Sequence, residues 1–84
     1  DLADVAIDPE TGLLVLLSEE SRRLAVLRMA DGTLRLLDSH DLPLEGDERP
    51  EGLTFLTPSR LAVVTEGPAR LLTFRVGRRR RGRV

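Results

Sequence analysis

The amino-acid sequence predicts an all-β protein whose antiparallel strands form β-propeller-like blades. The first observation is an internal repeat: residues 24–27 align with residues 71–74 at an offset of 47 positions, and residues 5–7 align with residues 53–55 at an offset of 48. The second observation is that every apolar run is short and is bounded by glycine, proline or polar residues. A repeat of this length that contains only short strands is typical of a propeller blade or a similar all-β array.

Residues 1–38 are predicted to form the first blade, which is complete and four-stranded. Residues 2–7 alternate between two faces with a period of two, as a strand does. The turn at 8–12 contains a proline that presets φ and a glycine that accepts a positive φ. Residues 13–17 are apolar on both faces. A strand here has to be covered on both sides, which happens when sheets stack face to face.

The third and fourth strands of this blade are predicted to form a hairpin. Residues 24–29 supply the third strand, and Asp31-Gly32 is a dipeptide that favours a tight hairpin turn. In the fourth strand, residues 33–38, the alternation places Leu34 and Leu36 inward. We therefore interpret this strand as the half-exposed edge of a sheet.

An amphipathic helix over residues 19–29 is the alternative to the third strand, since Leu24 and Leu27 would lie one turn apart. The equivalent part of the second repeat, residues 66–74, contains Gly67-Pro68. The interior of a regular helix does not accommodate this dipeptide. The repeat therefore favours a strand in both places.

The second unit is predicted to be an incomplete blade. An acidic inter-blade loop at 39–51 precedes it, and residues 52–76 supply three strands separated by turns at 57–59 and 66–69. A fourth strand is expected next. Residues 77–84 instead contain five arginines and no alternation, which predicts a disordered Arg-rich tail.

The composition excludes several classes of protein. The 84 residues contain no cysteine, so a disulfide framework and a thiolate metal site are excluded. No apolar run approaches the roughly 18 residues that a membrane-spanning helix requires. The formal charge is uneven: residues 1–66 carry −8 and residues 67–84 carry +7. A chain of this size buries only a modest core, so we expect its exposed leucines to be covered by missing blades or by a second copy of the chain.

Four segments, read in series at a spacing near 47 residues, carry a family resemblance. They are residues 1–12 (DLADVAIDPETG), 17–24 (LSEESRRL), 50–55 (PEGLTF) and 64–66 (VTE). In these segments the sequence resembles the SdiA-regulated (YjiK-like) family of bacterial β-propellers, which has phytase-like propellers as relatives. The resemblance implies a propeller of the cell envelope or periplasm, of which this chain supplies fewer than two blades.

Acidic residues are predicted to gather at one end of the sheets. Because antiparallel strands alternate in direction, every second connection lies at the same end, and eleven of the fourteen acidic residues lie in or beside these connections. Clustered carboxylates suit a hard cation such as Ca²⁺. Glu19, Glu51 and Glu66 are the candidate calcium ligands because they lie nearest to the strand ends. The alternative is a set of solvated acidic loops without a metal.

No catalytic residue is predicted. The single histidine, His40, follows Ser39 directly, and adjacency in sequence does not give the geometry that a nucleophile and its base require. We interpret His40 as a solvent-exposed loop residue.

Three functional interpretations remain. The first is a non-catalytic propeller fragment that presents acidic loops to a cation or to a protein partner. The second, which the resemblance implies, is a remnant of a calcium-dependent phytase-like phosphoesterase with the same three glutamates as ligands. The third is binding of an anionic polymer through the Arg-rich tail. The tail has no aromatic residue for stacking on bases, which disfavours a nucleic acid as that polymer.

Overall fold

Two antiparallel β-sheets pack against each other in the part of the protein that the structure describes. The computed structural model describes residues 1–8 and 10–76. In chain order the strands are β1 (Leu2–Asp8), β2 (Leu13–Ser18), β3 (Arg23–Ala30), β4 (Thr33–Asp41), β5 (Arg49–Thr57), β6 (Arg60–Glu66) and β7 (Arg70–Arg75). Sheet A has the order β1-β2-β3-β4 and sheet B has the order β5-β6-β7. The predicted all-β class, with one four-stranded and one three-stranded unit, is confirmed.

The alternative helix over residues 19–29 is wrong, because β3 occupies most of that segment. Leu24 pairs with Leu17 on one side and with His40 on the other, so both edges of β3 are used by neighbouring strands. The predicted Arg-rich tail lies outside the described residues.

The predicted turns at 8–12 and at Asp31-Gly32 form, and the predicted residues have the positive φ values that these turns require. Gly12 has a φ of 77°, and its N–H donates to the Asp8 carbonyl over 2.8 Å. Asp31 and Gly32 have φ values of 54° and 74°. Two successive positive φ values are characteristic of the type I′ turn, whose twist matches that of a hairpin.

The connection between the sheets is shorter than the predicted loop at 39–51. Strand β4 continues to Asp41, which pairs with Arg23, and β5 already begins at Arg49, which pairs with Glu66. The polar side chains of these strand ends tolerate solvent, so ladder pairing continues beyond the apolar stretches. Residues 42–48 are left as the connection.

The pairing register recurs between the two sheets at the offsets seen in the sequence. In sheet A, Val5 pairs with Leu16 and Leu16 with Ala25; in sheet B, Leu53 pairs with Val63 and Val63 with Leu72. The offset is 48 residues between β1 and β5, and 47 residues between the other two pairs of strands. Equivalent residues therefore lie on equivalent faces of the two sheets.

Each sheet accordingly has two faces, which we name by their register. The front face consists of Val5, Ile7, Leu14, Leu16, Ala25 and Leu27 in sheet A and of Leu53, Phe55, Leu61, Val63, Leu72 and Phe74 in sheet B. The back face consists of Asp4, Ala6, Val15, Leu17, Leu24 and Val26 in sheet A and of Gly52, Thr54, Ala62, Val64, Leu71 and Thr73 in sheet B.

The hydrophobic core lies between the back face of sheet A and the front face of sheet B. Its fully or nearly fully buried members are Val15, Leu17, Leu24, Leu42, Leu53, Leu61 and Val63. At the edge of this core, strands β1 and β5 approach closely, and the Leu53 N–H donates to Oδ2 of Asp4 over 2.9 Å. Gly52 lies at this junction, where an added Cβ would contact Asp4 at 3.4 Å. A Cβ at this distance would be at the short end of ordinary van der Waals contact.

The predicted inward orientation of Leu34 and Leu36 is wrong. Both lie on β4, opposite Met29 and Leu27, and they are 49% and 61% exposed. Alternation shows correctly that they share a side of the sheet with Leu27. That side is the front face of sheet A, and no other part of the chain that the structure describes packs against it.

Candidate functional site

The acidic end of the molecule is built from the connections that follow β2, β4 and β6. We call residues 1, 19–22, 42–51 and 66–70 the acidic rim. These residues include eight acidic residues and three arginines, a formal charge of −5. The rim includes the three predicted calcium ligands.

Hydrogen bonds to backbone groups hold the connections of the rim together. The Leu42 N–H donates to the Arg22 carbonyl over 2.9 Å, and Nη2 of Arg22 donates to the Gly46 carbonyl over 2.9 Å. The Glu20 N–H donates to Oδ1 of Asp1 over 3.1 Å. The connection after β2 is thereby tied to the connection after β4 and to the start of β1, so the rim is one continuous surface.

The guanidinium of Arg49 lies among the three glutamates that the sequence analysis selected. Its Nε is 3.6 Å from Oε2 of Glu19 and 3.4 Å from Oε2 of Glu51, and its Nη2 is 3.2 Å from Oε1 of Glu66. The side chains of Glu19 and Glu51 are 37% and 39% exposed, and that of Glu66 is 64% exposed. The three carboxylates do converge, and the positive charge that they surround belongs to the chain itself.

The predicted calcium site gains no further ligands from this arrangement. Within residues 1–8 and 10–76, no three His, Cys, Asp or Glu side chains are grouped so that they could hold a metal ion. Glu19, Glu51 and Glu66 each reach the guanidinium from a different strand end, since they belong to the region after β2, to β5 and to β6. Calcium binding by these residues stays a prediction.

Within the rim, the buried carboxylate of Glu48 forms an ion pair with Arg70, whose side chain is 32% exposed. Glu48 is 1% exposed, and its two carboxylate oxygens accept hydrogen bonds from Nη2 and Nε of Arg70 over 2.7 and 2.8 Å. The Glu45 N–H donates to the same carboxylate over 2.9 Å, and the Thr65 hydroxyl lies within hydrogen-bonding distance of it. Nη2 of Arg70 also donates to the Pro43 carbonyl over 3.3 Å. The pair therefore fastens the inter-sheet connection to sheet B.

The contact with Arg70 changes the protonation of Glu48. The hydrogen bonds from Arg70 lower the pKa of the Glu48 carboxyl from 4.5 to about 2, and those from Thr65 and Glu45 act in the same direction. Desolvation opposes this change but does not overcome it. The same carboxylate raises the pKa of the Arg70 guanidinium. Both groups are charged at neutral pH, and a charged Glu48 is what the buried pair requires.

Ser39 and His40 do not form a nucleophile–base pair. The Ser39 hydroxyl accepts hydrogen bonds from Nη2 and Nε of Arg23 over 2.8 and 3.2 Å. Nε2 of His40 lies 3.1 Å from Oδ2 of Asp38, and the His40 side chain is 60% exposed. Consecutive strand residues point to opposite faces of a sheet, which separates the two side chains. The exposure predicted for His40 is confirmed, although it lies in β4 and not in a loop.

The remaining buried carboxylate, Asp8, has a structural role at the opposite end of the molecule. It is 4% exposed and accepts hydrogen bonds from the Thr11 hydroxyl over 2.7 Å and from the Glu10 N–H over 3.1 Å. These bonds close the turn between β1 and β2.

Sequence reasoning missed the roles of Arg49, Glu48 and Arg70. Glu48 looks like one more solvated acid in an acidic connection, and its partner follows 22 residues later. The available signal for Arg49 was its position as the only arginine in the segment 39–51. A single arginine in an acidic segment indicates an ion-pair centre at least as well as its glutamates indicate a metal site.

Comparisons of the chain with known protein families, with curated proteins and with solved structures returned no match. In the part of the chain that the structure describes, no helix has the length and apolar character needed to cross a membrane.

Proposed function

We propose that the chain is a non-catalytic β-propeller fragment of the SdiA-regulated type, and that its acidic rim binds a basic segment of a protein partner. The architecture supports the first half of the proposal in two ways. The pairing register of sheet A recurs in sheet B, and the two sheets pack through unlike faces, back against front. Successive blades of a propeller are related in the same manner, because each blade repeats the one before it.

The arrangement around Arg49 is the observation that carries the second half. Three carboxylates from separate strand ends lie 3.2 to 3.6 Å from one guanidinium. The side chains of Glu19, Glu51 and Glu66 are 37%, 39% and 64% exposed and that of Arg49 is 55% exposed, so the carboxylates are open to a partner. An arginine side chain carries five donors in a planar fork that suits carboxylates. A rim that already accommodates one guanidinium, and that carries an excess of negative charge, is suited to a second basic group.

A binding measurement with a synthetic oligoarginine peptide tests the proposal. The variant Glu51→Gln/Glu66→Gln removes two charges from the rim, and we expect it to weaken binding at least tenfold at low ionic strength. The control variant Glu10→Gln/Asp31→Asn removes the same charge from the opposite end and should leave binding nearly unchanged. Equal losses in the two double variants would show that the peptide responds only to net charge, and would refute a specific role for the rim.

A calcium site is the second candidate, and the convergence of Glu19, Glu51 and Glu66 is the observation that favours it. The Arg49 guanidinium occupies the position between these carboxylates. A hard cation requires six to eight oxygens and competes poorly with a tethered guanidinium. If the three glutamates are calcium ligands, removing the guanidinium should strengthen calcium binding.

The variant Arg49→Gln separates the two candidates. The calcium site predicts that isothermal titration with Ca²⁺ shows tighter binding to this variant than to the wild type, with Arg60→Gln as the control for the loss of one positive charge. Strengthened calcium binding would support the metal site and, with it, the phosphoesterase interpretation. Calcium binding that is absent from the wild type and from Arg49→Gln would rule out these three glutamates as a calcium site and leave the basic partner.

A further inference from the structure

The chain has two apolar faces that its own packing leaves open. The register relates each of them to a covered face, and so indicates which kind of face would pack against it. The front face of sheet B is covered by the back face of sheet A. The front face of sheet A and the back face of sheet B have the same register as those two faces, but within residues 1–8 and 10–76 neither is covered by another sheet. The back face of sheet B is closed only in part: Gly52 lies beside Asp4, and Ala62 is 3% exposed.

The exposure of equivalent residues shows that these faces are open. On the front, Val5 is 46% exposed, whereas its equivalent in sheet B, Leu53, is 8% exposed. On the back, Leu71 is 62% exposed, whereas its equivalent in sheet A, Leu24, is 5% exposed. Large apolar side chains with this exposure, placed together on one face, usually mark an interaction surface.

The side-chain sizes favour contact between unlike faces. The open front face of sheet A carries large residues, among them Ile7, Leu14 and Leu27. The open back face of sheet B has one cross-strand row of small residues, Thr54, Ala62 and Thr73, beside a row that contains Val64 and Leu71. Interdigitation of large residues with small ones gives the dense packing found in protein interiors. Two front faces would instead bring large residues against large ones.

We propose that copies of this chain stack head to tail, with the front face of sheet A in one copy against the back face of sheet B in the next. The contact repeats, between chains, the back-to-front packing that joins the two sheets within one chain. A head-to-tail contact generates a ring when its rotation closes. Rings of about two to four copies would contain the roughly 4–8 sheets of a propeller. This inference depends on the register and the exposed faces, and it is independent of what the acidic rim binds.

Two single variants, each alone and then mixed, test the proposal. Ile7→Arg blocks the front face of sheet A and Leu71→Arg blocks the back face of sheet B; the wild-type side chains are 59% and 62% exposed, so both variants should fold. Light scattering after size-exclusion chromatography should show an assembly for the wild type and monomers for each variant alone. An equimolar mixture should form a 1:1 dimer, because each variant keeps the face that the other has lost.

Controls make the failure of a variant interpretable. Ser59→Arg adds the same charge in an exposed turn and should assemble like the wild type. Leu36→Arg is a second front-face variant, at a residue that is 61% exposed, and should complement Leu71→Arg in the same way. Far-UV circular dichroism should show wild-type β-structure for every variant.

Three results would overturn the proposal. A folded wild-type monomer at all protein concentrations would exclude self-association and leave a different chain as the occupant of the faces. Loss of assembly in Ile7→Arg but not in Leu71→Arg would indicate a symmetric front-to-front dimer. Assembly that survives both variants would indicate pairing through the sheet edges.

Discussion

Replacing Glu48 by glutamine should remove a defined part of the pH dependence of stability. The Glu48 carboxylate is buried and accepts hydrogen bonds from Arg70, Thr65 and Glu45, and its pKa is lowered to about 2 from 4.5. A group whose pKa is lower in the folded state stabilises the fold fully above its unfolded pKa. That stabilisation is lost as the pH falls through the folded pKa. The relevant window therefore lies between about pH 4.5 and about pH 2.

The size of the effect follows from the two pKa values. Midway between them, near pH 3.25, the carboxyl is almost fully protonated in the unfolded chain and almost fully ionised in the folded one. Unfolding should therefore take up about 0.9 proton at this group. Glutamine does not titrate, so Glu48→Gln lacks this uptake. Above the window the variant should be clearly less stable than the wild type, since Arg70 loses its buried counter-charge.

Urea unfolding of the wild type and of Glu48→Gln, measured from pH 7 down to pH 2, provides the assay. The difference in unfolding free energy should be constant above about pH 5 and should shrink steadily below it. Glu45→Gln is the matched control: its carboxylate lies 3.7 Å from Nη1 of Arg70 and its side chain is 70% exposed. A difference that stays constant down to pH 2 would refute the assignment of Glu48 as the ionised partner of Arg70.

Three further tests concern the core, the link between the sheets and the first turn. Leu17→Ala, at a fully buried residue, should lower the free energy of unfolding by about 2–5 kcal/mol. The control Leu37→Ala, at a residue that is 46% exposed, should lower it by less than half as much. Equal losses in the two variants would contradict the location of the core. Asp4→Ala removes the acceptor of the Leu53 N–H and should cost about 1–3 kcal/mol in urea unfolding, and no loss would show that this link between the sheets is dispensable. Asp8→Ala opens the first turn and should speed amide hydrogen exchange in that hairpin, and unchanged exchange there would refute its structural role.

The strands could be predicted because their signals are local. Alternation, apolar runs and the Gly and Asp-Gly turns each act within a few residues, and residues 1–8 and 10–76 contain seven strands where these signals occur. The pairing register could also be anticipated, since the offsets of 47 and 48 in the sequence are the offsets of equivalent cross-strand pairs.

Which face of each sheet is buried could not be predicted in the same way. Alternation shows that Leu34 and Leu36 share a side of the sheet with Leu27, but it contains no information about which side meets a neighbour. That choice depends on how sheet B folds back through the connection at 42–48, which Glu48 fastens to Arg70 of β7. Both leucines lie on the open face, and in the proposed assembly the next copy covers it.

The acidic rim illustrates the limit that applies to charge patterns. Glu19 and Glu66 occupy equivalent positions in the two repeats, and their convergence with Glu51 follows from the topology. Topology brings carboxylates together, but it does not specify the cation between them, because Ca²⁺ and a guanidinium both satisfy negative oxygens. The deciding residue is Arg49, which pairs with Glu66 across β5 and β6 and so must place its side chain beside these carboxylates. Clustered acidic residues therefore support a metal site only when no arginine of a neighbouring strand end lies between them.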